Sequence, residues 1–135
     1  FIAVLPGQGP AANGMPELHK LTPPLTSLQN QGFQVALITD GRMSGASGKF
    51  PAAIHLTPEA MHDGPLGKIQ SGDSITLDWG NNTLRVDVEN EILAARGTFQ
   101  PVNTPNTLGR ILFQQARNSA SPADQGASFI LGEGS

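Results

Sequence analysis

Residues 35–49 read VALITDGRMSGASGK, an apolar segment that runs directly into a polar loop. The apolar residues 35–38 predict a buried strand. The loop, 39–49, then presents one acid, one guanidinium, two serines and one amine among three glycines. Glycines let backbone N–H groups crowd around a bound anion, and strand ends are where α/β domains place their chemistry. This loop is therefore the first candidate for a functional site.

Two interpretations of the loop remain open on its residues alone. It could be a glycine-rich turn in which Asp40 and Ser44 only cap backbone groups. It could also bind an anion or carboxylate, with Arg42 or Lys49 supplying positive charge and backbone amides supplying donors. It is not a P-loop, because Lys49 is followed by phenylalanine, and no helix with the glycine spacing of a dinucleotide fingerprint follows it.

Composition limits the classes of protein that the chain can belong to. Its 135 residues suffice for one domain with a core that needs no crosslinks. The absence of cysteine excludes disulfides and thiolate metal sites within this chain and is compatible with a cytoplasmic protein. A net charge of -3 gives no electrostatic case for nucleic acid or an anionic membrane. No apolar run approaches the roughly 20 residues that span a bilayer.

Strands dominate the predicted secondary structure. With 16 glycines, 11 prolines and only 14% charged residues, the chain favours short strands joined by tight turns. Alternation at 74–79 and 84–88 around Gly80-Asn81-Asn82 predicts a hairpin. Further strands are predicted at 1–5, 33–38 and 51–56. We therefore expect a mixed, β-rich fold, a barrel or sandwich with a few flanking helices.

Four helical segments are predicted beside these strands. A short helix is expected at 15–21, with Pro16 in its first turn. A second is expected around Leu25 and Leu28, stopped by Gly32, and a capped helical turn at 57–60. A longer helix at 107–117 would have Asn106 as its N-cap. The apolar residues that this last helix is expected to bury are Leu108, Ile111, Leu112 and Ala116.

A second candidate site lies in the loop 9–20, which contains Glu17, His19 and Lys20. A glutamate in a first helical turn can simply complement the helix dipole. Alternatively, Glu17 supplies a carboxylate to a hard cation such as magnesium. The three histidines show no zinc-ligand spacing.

Several motifs occur in a specific order along the chain. They are GMPE at 14–17, TDGRMSG at 39–45, AIHLTPEA at 53–60, GP at 64–65 and GD at 72–73. Together they resemble the dihydroxyacid dehydratase / 6-phosphogluconate dehydratase family, closely over residues 8–90 and more loosely through 107–118. Met43, SGASGK at 44–49 and ELHKLTPP at 17–24 are similar to the 6-phosphogluconate branch.

The resemblance implies a carboxy-terminal domain over residues 1–135, of the swivelling β/β/α type with a barrel-like sheet and flanking helices. It implies a hydro-lyase of the Entner–Doudoroff pathway that converts 6-phospho-D-gluconate to 2-keto-3-deoxy-6-phosphogluconate and water. In this family a 4Fe-4S iron–sulfur cluster acts as Lewis acid on the leaving hydroxyl, and cysteines of the amino-terminal domain hold it. Magnesium and a carbamylated lysine of that same domain complete the site.

The resemblance also implies roles for individual residues. Ser44 matches the serine proposed as general base, and Glu17 matches a carboxylate that looks like a magnesium ligand. For both to act in one site, the loops after residues 5 and 38 would have to converge. Lys49, and more weakly His19 and Lys20, are candidates for binding the carboxylate or phosphate of the substrate. Asp40, Gly41 and Arg42 are expected to shape the loop and orient the substrate. The full set of expected substrate-binding residues is Asp40, Gly41, Arg42, Gly45, Ser47, Lys49, His19 and Lys20.

The chain starts without methionine inside a predicted strand, so we expect a piece of a longer enzyme. Its partners would be the amino-terminal domain and a sugar-acid phosphate, in a cytoplasmic homodimer. Since this chain cannot supply the cluster ligands, we expect it to be folded but inactive by itself. Two alternatives are a piece of a dihydroxyacid or other sugar-acid dehydratase, and a non-catalytic anion-binding or association module.

Overall fold

Strand β2, Ala36–Thr39, lies at the centre of the fold, and all four of its residues are buried. It pairs in parallel with β1 on one side and with β3 on the other. A strand that is buried on both faces has a continuous run of apolar residues in its sequence rather than an alternating pattern. That explains why residues 35–38 are all hydrophobic.

The computed structural model describes residues 1–44, 48–102 and 106–130. In these ranges the remaining strands are β1 (Ile2–Leu5), β3 (Ala52–Ala53), β4 (Ile75–Asp78) and β5 (Thr83–Val86). The α-helices are α1 (Pro10–Asn13), α2 (Thr22–Asn30), α3 (Asn90–Ala95), α4 (Leu108–Leu112) and α5 (Gln114–Asn118). Short 3-10 turns lie at Ala60–His62, Pro65–Lys68 and Ala123–Gln125. None of the helices in these ranges has the length and apolar character to cross a membrane.

Helix α2 makes the crossover that parallel pairing of β1 and β2 requires. Its Leu25 packs into a buried cluster with Val35 and Leu37 of the strand segment and with Phe50. Because the strands are parallel, the chain leaves β1 and β2 at the same edge of the sheet. The loop that begins at residue 39 and the segment that leads into the loop 9–20 therefore start side by side.

Strands β4 and β5 form the predicted antiparallel hairpin, with Ile75 opposite Val86 and Leu77 opposite Leu84. This two-stranded sheet is separate from the parallel one. The predicted mixed class is thus confirmed, but strands do not dominate the described residues as the composition predicted. The described residues show a three-stranded parallel sheet and a hairpin, with about as many helices as strands.

Three local predictions were wrong, each because a backbone conformation intervenes. No helix forms at 15–21, because Gly14 and Met15 take φ angles of 72° and 50° and end the preceding helix α1. The strand predicted at 51–56 shortens to β3, since His55 has φ 57°. Helix 107–117 breaks at Phe113 into α4 and α5.

The predicted burial on this last helix was also wrong. Leu108 is 72% exposed, Leu112 is 66% exposed, and Ile111 is 49% exposed. Thr107, not Asn106, is the N-cap residue. The helical spacing of these apolar residues is real, but none of the described residues buries them.

Asp73 and Arg96 tie the segment before the hairpin to the end of α3. Both Nη1 and Nη2 of Arg96 donate to the Asp73 carboxylate, the second at 2.9 Å. The Asp73 carboxylate also accepts the Gln70 backbone N–H at 2.8 Å. The Arg96 bonds, followed by the Gln70 bond, lower the pKa of Asp73 from 3.8 to about 2. The pair is a structural clamp.

This shift predicts how stability depends on pH. A carboxyl whose pKa is lower in the folded state stabilises the fold above its unfolded pKa and loses that contribution as pH falls through the folded value. The Asp73 contribution should therefore disappear between pH about 4 and about 2. In wild type the urea concentration at the unfolding midpoint should fall as pH drops over this range. We expect Asp73→Asn to weaken this dependence on pH, while Asp124→Asn, at an exposed position, should keep the wild-type dependence. An unchanged slope for Asp73→Asn would show that the clamp has no such effect.

Candidate functional site

The loops after β1 and β2 meet in a short parallel bridge between Glu17 and Arg42. The Leu18 backbone N–H donates to the Arg42 carbonyl at 3.2 Å. Deeper in the molecule Gly41 lies against Gln8, so closely that a Cβ added at Gly41 would be 2.6 Å from the Gln8 Cβ. Glycine is thus required at position 41 by contact with the neighbouring loop. The convergence expected of the two candidate loops is confirmed.

Arg42 joins the two loops through its side chain as well. Its Nε donates to the Met15 carbonyl at 2.8 Å, and its Nη1 lies 3.5 Å from Glu17 Oε1. The side chains of Arg42 and Glu17 are 46% and 42% exposed, so both reach solvent at this edge of the sheet. A guanidinium and a carboxylate are therefore presented together, beside the ends of two parallel strands.

Asp40 lies beneath this surface and is fully buried. Its Oδ2 accepts backbone N–H groups of Gly7 and Ala60, each at 3.0 Å, and its Oδ1 accepts that of Gln8 at 2.8 Å. One carboxylate thus ties two other chain segments, residues 7–8 and the segment at Ala60, to the end of β2. This arrangement fits the expected loop-shaping role, whereas direct contact with substrate would require Asp40 to leave these bonds.

Glu59, which the sequence did not single out as a site residue, holds the other side of the same framework. Its buried carboxylate accepts the backbone N–H groups of Ala11 and Ala12 at 3.0 and 3.1 Å. These are first-turn amides of α1, which have no partner within the helix. A Cβ added at Gly9 would lie 2.4 Å from Glu59 Oε2, so glycine is needed there too.

Ser44 follows Arg42 by two residues and is half-buried. Met43, between them, packs against the core cluster around Leu37 and therefore fixes where the loop leaves the sheet. The next predicted site residues, Gly45 and Ser47, lie outside the described residues. Their expected contact with substrate stays a prediction.

The remaining predicted site residues are exposed. The imidazole Nδ1 of His19 lies 3.3 Å from the Glu17 carbonyl oxygen, so His19 belongs to the same surface as Glu17. Lys20 precedes α2. Lys49 lines an open cavity of about 500 Å³ along α2, beside Thr22 and Pro23. Within the described ranges, no hydrogen bond or ion pair joins Lys20 or Lys49 to Glu17 or Arg42.

The side chains of this chain could help to bind magnesium, but they could not bind an iron–sulfur cluster. Among the described residues no group of three acidic, histidine or cysteine side chains could hold a metal ion. Glu17 nevertheless offers an exposed carboxylate, so it can supply one oxygen to a magnesium ion held mainly by other groups. Thiolate ligation of an iron–sulfur cluster does not fit this chain, which has no cysteine.

Two loops converge at the carboxyl edge of a parallel sheet and carry an exposed acid, a guanidinium and a serine. This is the position at which α/β enzymes bind small molecules. Comparison with known proteins assigns the class. The chain belongs to the dihydroxy-acid/6-phosphogluconate dehydratase family, whose C-terminal region matches residues 1–127.

Within this family, the chain is similar to several proteins named phosphogluconate dehydratase. The chain is 54% identical over 129 residues to a phosphogluconate dehydratase of Pseudomonas aeruginosa, covering 94% of this chain and 21% of that protein. It is 51% identical over 133 residues to the phosphogluconate dehydratase of Rhizobium meliloti and 48% identical over 131 residues to that of Escherichia coli K12. These two alignments cover 97% and 96% of this chain and 22% of each relative. The chain thus spans about a fifth of the length of these relatives.

Proposed function

We propose that this chain is the carboxy-terminal part of a phosphogluconate dehydratase, which removes water from 6-phospho-D-gluconate to give 2-keto-3-deoxy-6-phosphogluconate. The observation that carries the proposal is the bridge between Glu17 and Arg42, which brings one residue of the GMPE motif beside one residue of the TDGRMSG motif. Identities near 50% to proteins named phosphogluconate dehydratase support the substrate.

In the proposed reaction Ser44 Oγ takes the proton from carbon 2, next to the substrate carboxylate. The electron pair left by that proton forms a double bond to carbon 3, whose hydroxyl leaves as water after protonation. The resulting enol tautomerises to the 2-keto acid, so the atoms balance without an oxidant. A serine hydroxyl is a weak base in water and must be held as an alkoxide by nearby positive charge.

Glu17 and Arg42 supply this chain's part of the charged environment. A magnesium ion bound in part by Glu17 would stabilise the Ser44 alkoxide. Arg42, already paired with Glu17 at 3.5 Å, can orient the substrate carboxylate through its remaining donors. Asp40 holds the loop in place, and Gly45, Ser47, Lys49, His19 and Lys20 complete the proposed substrate surface.

The iron–sulfur cluster and the other magnesium ligands are assigned to the amino-terminal part of the enzyme. An exposed apolar surface on α4 supports a covering partner, since Leu108 and Leu112 are 72% and 66% exposed. With that partner in place we propose the swivelling β/β/α, barrel-like arrangement. The enzyme is further proposed to be a cytoplasmic homodimer of the Entner–Doudoroff pathway, as the family resemblance implies.

Substrate comparison tests the proposed function. The full-length enzyme containing this chain should dehydrate 6-phosphogluconate with a higher kcat/KM than gluconate or a branched dihydroxyacid. Preference for the dihydroxyacid would favour the other named branch of the family. Absence of turnover with all three would favour a non-catalytic module.

Replacing Glu17 by glutamine tests its assignment as a magnesium ligand. Loss of an anionic oxygen should raise the magnesium concentration for half-maximal activity, by on the order of 10- to 100-fold. The control is Glu91→Gln, which neutralises an exposed glutamate on α3. If Glu17→Gln left the magnesium requirement unchanged, Glu17 would not be a ligand.

A further inference from the structure

A second cavity lies between α1 and the pair α4–α5, with a volume of about 410 Å³. Two arginines, Arg110 and Arg117, line it together with Asn13, Met15 and the ring of Phe113. Among the described residues no carboxylate lines this space. The cavity is therefore a concentration of positive charge in a chain whose net charge is -3.

Both arginines are fixed against the end of α1. Arg110 Nη1 donates to Asn13 Oδ1 at 2.8 Å. Arg117 Nη2 donates to the Arg110 carbonyl at 2.8 Å, and the Arg117 Cγ and Cδ atoms lie 3.9 Å from the position of a Cβ at Gly14. Each guanidinium has five N–H donors. One donor of each is used in these bonds, so others can meet a ligand.

The cavity shares a wall with the Glu17–Arg42 surface. Met15 lines the cavity, and its carbonyl accepts the Arg42 Nε at 2.8 Å. Glu17 follows Met15 by two residues. A ligand that spanned the wall could place one end at Glu17 and the other end between the two arginines.

We propose that Arg110 and Arg117 bind the phosphate group of the substrate in this cavity, an inference that rests on the proposed dehydratase function. The phosphate lies at the far end of the carbon chain from the carbons that react, so its binding groups must lie apart from Ser44. Paired guanidinium groups match a phosphate dianion in charge and in hydrogen-bond geometry. The exposed face of the Phe113 ring can cover the carbon chain.

Steady-state kinetics of the full-length enzyme with 6-phosphogluconate test this assignment. Arg110→Gln and Arg117→Gln should each raise KM by about 10- to 100-fold while kcat stays within about threefold, because the phosphate contributes binding and not chemistry. Arg110→Lys, which keeps the charge, should recover part of the lost affinity. The matched control is Arg85→Gln on β5, which removes an exposed positive charge and should leave KM unchanged.

Direct binding of inorganic phosphate to the same proteins separates this inference from the proposed function. The wild-type enzyme should bind phosphate in a calorimetric titration, and the Arg110→Gln/Arg117→Gln double variant should not. If the wild type did not turn over 6-phosphogluconate but retained arginine-dependent phosphate binding, the dehydratase proposal would fail and the anion site would stand. An unchanged KM in both single variants would contradict the proposed phosphate site. So would a loss of kcat and of folded protein that parallels the change in KM.

Discussion

Ser44→Ala in the full-length enzyme is expected to lower kcat for 6-phosphogluconate by about 10²- to 10⁴-fold, the range typical of losing a general base. The physical reason is that an alanine methyl cannot accept the carbon-2 proton. KM should change little, because Ser44 acts on the transition state more than on substrate binding. Initial rates of keto-acid formation, measured at saturating magnesium, give both constants.

Ser71→Ala is the matched control, since Ser71 is an exposed serine in another loop. It should leave kcat within about twofold of the wild-type value, because an exposed substitution away from the site has little effect. The Ser44→Ala protein should retain wild-type thermal unfolding. A Ser44→Ala enzyme with near-normal turnover would remove Ser44 as the base and favour the non-catalytic alternative.

Asp40→Asn is expected to destabilise the chain by at least about 3 kcal/mol, because hydrogen bonds to a charged group each contribute about 1.5–3 kcal/mol. The asparagine amide would direct its own N–H donors at backbone N–H groups that now bond to Asp40. Domains of this kind have only about 5–15 kcal/mol in total, so a large part of the stability would be lost. Urea unfolding of the chain measures the change.

Hydrogen exchange adds a local readout for the same variant. The amides of Gly7, Gln8 and Ala60 donate to Asp40, so their protection should fall first. Asp124→Asn, at an exposed position, should change the free energy of unfolding by less than about 0.5 kcal/mol. Equal stability of Asp40→Asn and wild type would show that the buried carboxylate does not hold the loops.

The sequence predicts those parts of the fold that depend on local patterns. The alternation of apolar and polar residues predicted the β4–β5 hairpin, and the apolar run 35–38 predicted the buried strand β2. The helix at 15–21 and the long strand at 51–56 failed because Met15 and His55 adopt left-handed φ angles, which their side chains do not predict. The segment 107–117 is helical but breaks at Phe113, and its apolar residues are exposed, neither of which the helical spacing predicts.

For the candidate site, the sequence identified the two loops and several of their chemical groups. It predicted the convergence of the loops through the family resemblance, and the Glu17–Arg42 bridge confirms it. It missed the role of Glu59, because the bond from Ala11 joins residues 48 positions apart. It also missed the Arg110–Arg117 cavity, since a contact between Asn13 and Arg110 spans 97 positions and has no local pattern.

The central claim is that the Glu17 and Ser44 loops act as one catalytic unit. A double-mutant cycle of kcat with Glu17→Gln, Ser44→Ala and the combined variant tests it most directly. If magnesium held by Glu17 serves to activate Ser44, the combined variant should be about as slow as Ser44→Ala alone, because groups that act together are not additive. If instead the two losses multiplied, Glu17 and Ser44 would act independently, and the account of a shared site would be contradicted.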